Sequence, residues 1–233
     1  MLVLHNCSLA YGSHDILTDI SLQFSTGAVH GIVGSNGAGK TTLFKALAHR
    51  LPLKKGRISL NEQPLLNSDT ALLDIEPFFY PRITGSEYLR LFSYKNPDFN
   101  GWEWNRIFQL PLDDEIMSYS AGMKKKLALL GVIGLKPRVM LLDEPLNSLD
   151  FDTSYLLMDT LSILAQHGTT ILLSSHIVEP LIPICSTITW LAGKQDVRSF
   201  SKDDFPHLSE YLRSDDHAAQ KALVERLLST EHR

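Results

Sequence analysis

Eight consecutive residues, Gly34-Ser35-Asn36-Gly37-Ala38-Gly39-Lys40-Thr41, match the pattern G-x-x-x-x-G-K-[ST] at every fixed position. Glycine lets the backbone turn tightly enough for several N–H groups to converge on phosphate oxygens. A lysine at Lys40 reaches β- and γ-phosphates, and a hydroxyl at Thr41 is a ligand for Mg²⁺. The context suits the motif: the apolar run Val29 to Val33 predicts a strand before it, and Thr42 to Leu47 a helix after it. A helix N-terminus adds partial positive charge where the phosphates sit. Gly34, Ser35, Asn36, Gly37, Ala38, Gly39, Lys40, Thr41 and Thr42 are therefore the candidate nucleotide contacts, with a nucleoside triphosphate and Mg²⁺ as the implied ligands.

A second group of reactive residues closes another apolar run, Val139-Met140-Leu141-Leu142-Asp143-Glu144. A buried strand delivers its last residues to the carboxyl edge of a parallel sheet, where nucleotides bind. Asp143 is the candidate Mg²⁺ ligand beside Thr41, and Glu144 the group that polarises the attacking water.

Four shorter features fall around these two. Tyr119-Ser120-Ala121-Gly122-Met123 opens a predicted helix, and a small hydroxyl residue with a glycine at a helix N-terminus forms a further anion site. Asn147-Ser148-Leu149-Asp150 follows the acidic strand, His176 closes the run Leu172-Leu173-Ser174-Ser175, and Tyr11 precedes Gly12. In this order and spacing, the chain over roughly residues 2 to 195 resembles the ATP-binding cassette (ABC) proteins. The pentapeptide stands where the family has L-S-G-G-Q, keeping Ser120 and Gly122 and departing at Tyr119, Ala121 and Met123. The resemblance implies that Ser120 and Gly122 cap the γ-phosphate held by the opposite cassette of a dimer. It further implies that the Asp150 loop communicates across the dimer interface, that His176 contacts the γ-phosphate, and that Tyr11 stacks on adenine. Catalysis is thereby assigned to Lys40, Glu144 and His176.

One position departs in chemistry. The family carries a glutamine between the phosphate loop and the pentapeptide, and here Asp74-Ile75-Glu76-Pro77 puts Ile75 in its place. Isoleucine neither ligates a metal nor orients water. Glu76 substitutes only if the loop shifts by one residue. Weakened or differently timed hydrolysis is the expectation.

The elements that must position these groups follow from the pattern. Short β-rich runs (Leu2 to Leu4, Ile16 to Phe24, Arg57 to Leu60) precede a stretch punctuated by Pro77, Pro81, Pro97 and Pro111, with helices expected over Glu87 to Tyr94 and Glu103 to Gln109. A parallel-sheet pattern returns at Val139 to Leu142 and Thr170 to Leu173, bracketing a helix marked by Leu157, Leu161 and Leu164. The expected fold is α/β: a P-loop NTPase core with a mixed sheet, a β-rich nucleotide-binding edge and a small helical subdomain. Residues 1–75 and 136–205 form the core, 76–135 the helical lobe, and 206–233 a tail with an amphipathic helix over Ala218 to Leu228. Trp102 and Trp104 are expected to pack the lobe, Lys124-Lys125-Lys126 to face solvent, and Asp113-Asp114-Glu115 to form a solvated turn. Pro77 to Tyr80, which exposes its aromatics if it is a loop, divides evenly between core packing and partner docking.

Bulk properties bound the function. With 44% apolar residues in 233, a substantial core forms. A net charge of −4 speaks against a broad nucleic-acid-binding face. Cys7 and Cys185 have no metal-like spacing, and reducing cytosol is the expected compartment. No apolar run approaches the roughly 20 residues that span a bilayer. The resemblance thus implies an ATPase subunit on the cytoplasmic face of a membrane, acting as a homo- or heterodimer on a separate permease. Pro81 to Leu89 resembles cassettes paired with exporter subunits, and only about 57 residues follow His176, too few for the regulatory domain common in sugar importers. The alternatives are a hydrolysis-poor regulatory cassette in a heterodimer and a soluble, non-transport ABC ATPase.

Overall fold

The computed structural model describes residues 1–212. Its elements run β1 (Leu2–Tyr11), β2 (His14–Phe24), β3 (Val29–Val33), α1 (Lys40–Leu47), β4 (Lys55–Leu60), β5 (Gln63–Pro64), β6 (Thr70–Leu73), α2 (Gly85–Lys95), α3 (Gly101–Asn105) and α4 (Ala121–Gly134). They continue through β7 (Val139–Leu142), α5 (Phe151–Gln166), β8 (Thr170–Ser175), β9 (Thr187–Leu191), β10 (Val197–Ser201) and α6 (Phe205–Leu212). The strands build two sheets. One is four-stranded and antiparallel, in the order β2-β1-β4-β5. The other is six-stranded, in the order β10-β9-β3-β8-β7-β6, and parallel except for β10. The fold is mixed α/β with a P-loop NTPase core.

Why the central strands form there is visible in their side chains. β3, β7 and β8 are buried along their whole length. Successive residues point to opposite faces. Ile32, Leu141 and Leu172 join a core shared with α1 and the antiparallel sheet. Val33, Met140, Leu142, Ile171 and Leu173 join a core on the other face, with Leu157 and Leu161 of α5 and Leu208 of α6. Apolar burial on both faces is what a parallel sheet requires. A third cluster, around Leu89, Leu112, Ile116, Leu127 and Leu130, holds α2 and α4 together.

Because β6, β7, β8 and β3 run parallel, their carboxyl ends share one edge. The phosphate loop, Asp143, His176 and Ile75 all follow those ends, so the topology alone gathers them.

Several local expectations change. β6 pairs with β7 although nothing in the sequence reading marked it. The helix expected over Glu103 to Gln109 is instead the short α3, whose N-cap Asn100 accepts bonds from the N–H groups of Trp102 and Glu103. Trp104 packs into the lobe, whereas Trp102 is 56% exposed. The Asp113–Glu115 turn is exposed. Phe78 and Tyr80 are exposed and stack edge-on, while Phe79 turns inward against Tyr88. The lysine run is not a uniform solvated face, since Lys125 is buried. The helix expected over Ala218 to Leu228 lies outside the described residues. Among the described residues, no helix is long and apolar enough to cross a membrane.

Candidate nucleotide site

The phosphate loop joins β3 to α1. Gly39 takes φ +105° as the residue preceding the helix, a conformation that side-chain-bearing residues rarely adopt. Lys40 opens α1 and is buried. Its ammonium donates to the carbonyl oxygens of Gly34 at 2.7 Å and Ser35 at 3.2 Å, and lies 3.5 Å from Glu144 Oε1. No acidic residue occupies the first turn of α1, so the positive end of its dipole is unopposed. The Thr41 hydroxyl donates to Asp143 Oδ2 at 2.6 Å.

Asp143 and Glu144 are both buried. The other Asp143 oxygen accepts a 2.5 Å bond from the Ser174 hydroxyl, which in turn accepts the Glu144 N–H at 2.8 Å. Glu144 sits at φ +49°, a left-handed conformation costly for a residue other than glycine. Its Oε2 meets His176 Nδ1 at 3.2 Å. Its carbonyl accepts a 2.7 Å bond from Lys125 Nζ, reaching across from α4. Burial pushes the Lys125 pKa below the usual lysine range, opposed by the carboxylates of Glu144 and Asp143. The sequence assigns neither Ser174 nor Lys125 to the site: Ser174 enters only in the run before His176, and Lys125 only in a run expected to face solvent. Ser174 stands two positions before His176 and points to the same edge, which is the one signal it carried.

These groups surround a cleft of about 480 Å³, lined by residues 36–42, Asp143, Glu144, Asn147, His176, Ile16 and Ile75. A larger groove of about 830 Å³ lies on the antiparallel sheet beside His5, Gln23 and Arg57. It has neither the phosphate loop nor the paired acids, so chemistry rather than size locates the site. Residues 17–147, more than half of the chain, match the family model described as ABC transporter. The chain belongs to the ABC transporter family.

Relatives agree with this. The ABC transporter ATP-binding protein YtrB of Bacillus subtilis is 26% identical, over 91% of this chain and 75% of its own length. The linearmycin resistance ATP-binding protein LnrL of the same organism is 26% identical, over 81% of this chain and 65% of its own. A solved structure of the ATP-binding subunit of an ABC transporter superposes with a TM-score of 0.81 at 24% identity, covering 94% of this chain and 98% of that one. This chain is an ATP-binding subunit of the family, and an ATPase.

Within the cassette, the remaining candidates lie apart from the cleft. Ser120 caps α4 by accepting the Met123 N–H at 3.2 Å. Gly122 packs so tightly that an added Cβ would stand 2.7 Å from the Ser148 carbonyl oxygen. Asp150 caps α5, accepting from the Thr153 N–H at 2.9 Å and the Thr153 hydroxyl at 2.8 Å, which hold its pKa below the usual carboxylate value. Lys126 lies 3.7 Å from the same carboxylate. Tyr11 is exposed at the β1–β2 turn and pairs with His14, which borders a smaller cleft of about 300 Å³ against residues 35–38 and Lys194. The structure thus gathers Lys40, Thr41, Asp143, Glu144 and His176, and leaves Ser120, Gly122, Asp150 and Tyr11 outside the phosphate cleft of their own chain.

The donor set at the cleft fits a hard divalent cation. A hydroxyl and a carboxylate in contact are the oxygen ligands that Mg²⁺ takes alongside phosphates and water. Among the described residues there is no cluster of three or more His, Cys, Asp or Glu suited to an all-protein metal cage.

Proposed function

We propose that this cassette holds ATP with Mg²⁺ in the Lys40 cleft, hydrolyses it through Glu144, and drives export by a separate membrane permease through closure and reopening of a cassette dimer. The convergence of Lys40, Thr41, Asp143, Glu144 and His176 on one cleft supports this best.

Lys40, released from its loop carbonyls, pairs with the β- and γ-phosphates. Thr41 and Asp143 hold the metal ion, which when bound offsets phosphate charge. Glu144 accepts a proton from the attacking water, and His176 steadies Glu144 and meets the γ-phosphate. Tyr11 stacks on adenine. Ser120 and Gly122 offer the α4 N-terminus to the nucleotide of the facing cassette, with Asp150 at the seam. ATP closes the dimer because its phosphates touch both halves, and hydrolysis removes that bridge. The permease places the cassette at the cytoplasmic face of the membrane. Export is favoured by Pro81 to Leu89 and by a relative named for linearmycin resistance.

Ile75 in the wall of the cleft favours a second reading, a hydrolysis-poor cassette regulating an intact partner in a heterodimer. Turnover separates the two. The full chain and its Glu144→Gln variant are assayed with MgATP and passed over a sizing column. Turnover that falls about 100-fold or more in the variant, with ATP now trapping a dimer, supports the motor. ATP binding without turnover in either protein supports the regulator.

A further inference from the structure

Three lysines in a row on a helix cannot share one face, because each residue turns about 100° from the last. In α4 the middle one, Lys125, turns inward. It heads the buried stripe of Ala128, Leu129 and Val132, at i+3, i+4 and i+7, and is 6% exposed. An ammonium there is costly to desolvate, and a methionine would fill the same space without that cost. What the ammonium adds is a donor aimed at one atom, the Glu144 carbonyl oxygen.

That carbonyl belongs to the one residue of the acid pair with a left-handed backbone. Both peptide groups of Glu144 are held from outside its own loop, the N–H by Ser174 of β8 and the carbonyl by Lys125 of α4 at 2.7 Å; the same carbonyl also accepts the longer 3.3 Å bond of the Asn147 N–H within the loop. With those two held, its carboxylate lies between Lys40 and His176. The same helix meets the following loop twice more, at Gly122 against Ser148 and at Lys126 near Asp150.

We propose that Lys125 is a positioning residue for hydrolysis, clamping the Glu144 peptide to α4 so that the Glu144 carboxylate is held over the cleft. It does not line the cleft and acts through Glu144. The proposal rests on the reading of Glu144 as the group that activates water. It also makes the helix carrying Ser120 and Gly122 and the strand end carrying Glu144 one mechanical unit, so a shift of the α4 N-terminus reaches Glu144 without passing through the nucleotide.

The test is single-turnover hydrolysis of labelled MgATP by excess full-length protein, with ATP affinity measured in parallel. Lys125→Met is expected to lower the rate about tenfold or more, the scale of a small misplacement of a catalytic group, while ATP affinity stays within about twofold. Lys125→Arg, which keeps a donor and a charge, restores most of the rate. Lys124→Met, a charge-matched neighbour, behaves as wild type. In the Glu144→Gln background, Lys125→Met brings no further fall. Wild-type rates in Lys125→Met, loss of ATP affinity in step with rate, or failure of Lys125→Arg to rescue would each overturn the clamp. If Glu144→Gln itself turns over normally, the assignment of Glu144 fails and the clamp falls with it; if only Lys125→Met is silent, the clamp alone is wrong.

Discussion

Ile75 sets a branched hydrocarbon into the wall of a cleft that also presents an ammonium, two carboxylates, two threonine hydroxyls and an imidazole. It is 44% exposed, so neither core packing nor sheet pairing demands that residue type. It follows the end of β6, where the family resemblance expects a glutamine, whose amide would offer both a donor and an acceptor. Replacing Ile75 with Gln supplies that donor and acceptor at little cost in packing. Turnover is expected to rise by about threefold or more with the KM for ATP unchanged, because the Lys40 contacts are untouched. Unchanged or slower turnover in steady-state assays would show that the cassette works by a geometry in which this position is silent.

At the scale of elements, what was legible depended on how strongly one force dominated. β7 was read to the residue because it is apolar throughout and stops at two carboxylates. α5 was read from Leu157, Leu161 and Leu164, but its start is set by Asp150, a capping residue that the sequence offered only as part of a loop communicating across a dimer interface. β6 escaped because half-buried residues alternate with buried ones over only four positions, and its place is set by β7 beside it. Lys125 escaped because three like charges read as a solvated face unless the stripe below them is followed upward. Gly122 was read as half of an anion site, yet it has a packing reason as well: α4 can approach the 147–150 loop only without a Cβ there. Gly122→Ala is therefore expected to lower stability in urea by about 1–3 kcal/mol through overpacking against the Ser148 backbone. On the proposed function, ATP affinity of the single cassette rests on the phosphate loop and stays near wild type. Equal stability of the two proteins would show that the loop yields freely.

For the whole molecule, the two cores meet across the six-stranded sheet, and His30 of β3 is buried completely near its centre. Its Nε2 lies 2.9 Å from the Ser25 carbonyl oxygen, which can only accept, so the ring proton sits on Nε2. Nδ1 then accepts from the Thr187 hydroxyl at 2.8 Å, tying β3 to β9. The neutral ring satisfies both partners. Burial drives its pKa below the ordinary 6.5, and the Ser25 bond opposes this only in part. The native state therefore resists a proton that the unfolded chain takes up readily. Stability from this residue is full above about pH 6.5 and falls as pH drops from there toward the depressed native value, since the unfolded state binds more protons across that window. His30→Gln retains a donor for Ser25 and removes the titration. Urea midpoints measured from pH 7.5 down to 5 are expected to fall more steeply for wild type than for the variant, even though the variant starts lower at pH 7.5. Every other histidine is common to both proteins and cancels in the comparison. Parallel slopes would mean that protonation of this ring does not couple to unfolding, and that acid sensitivity of the cassette originates elsewhere.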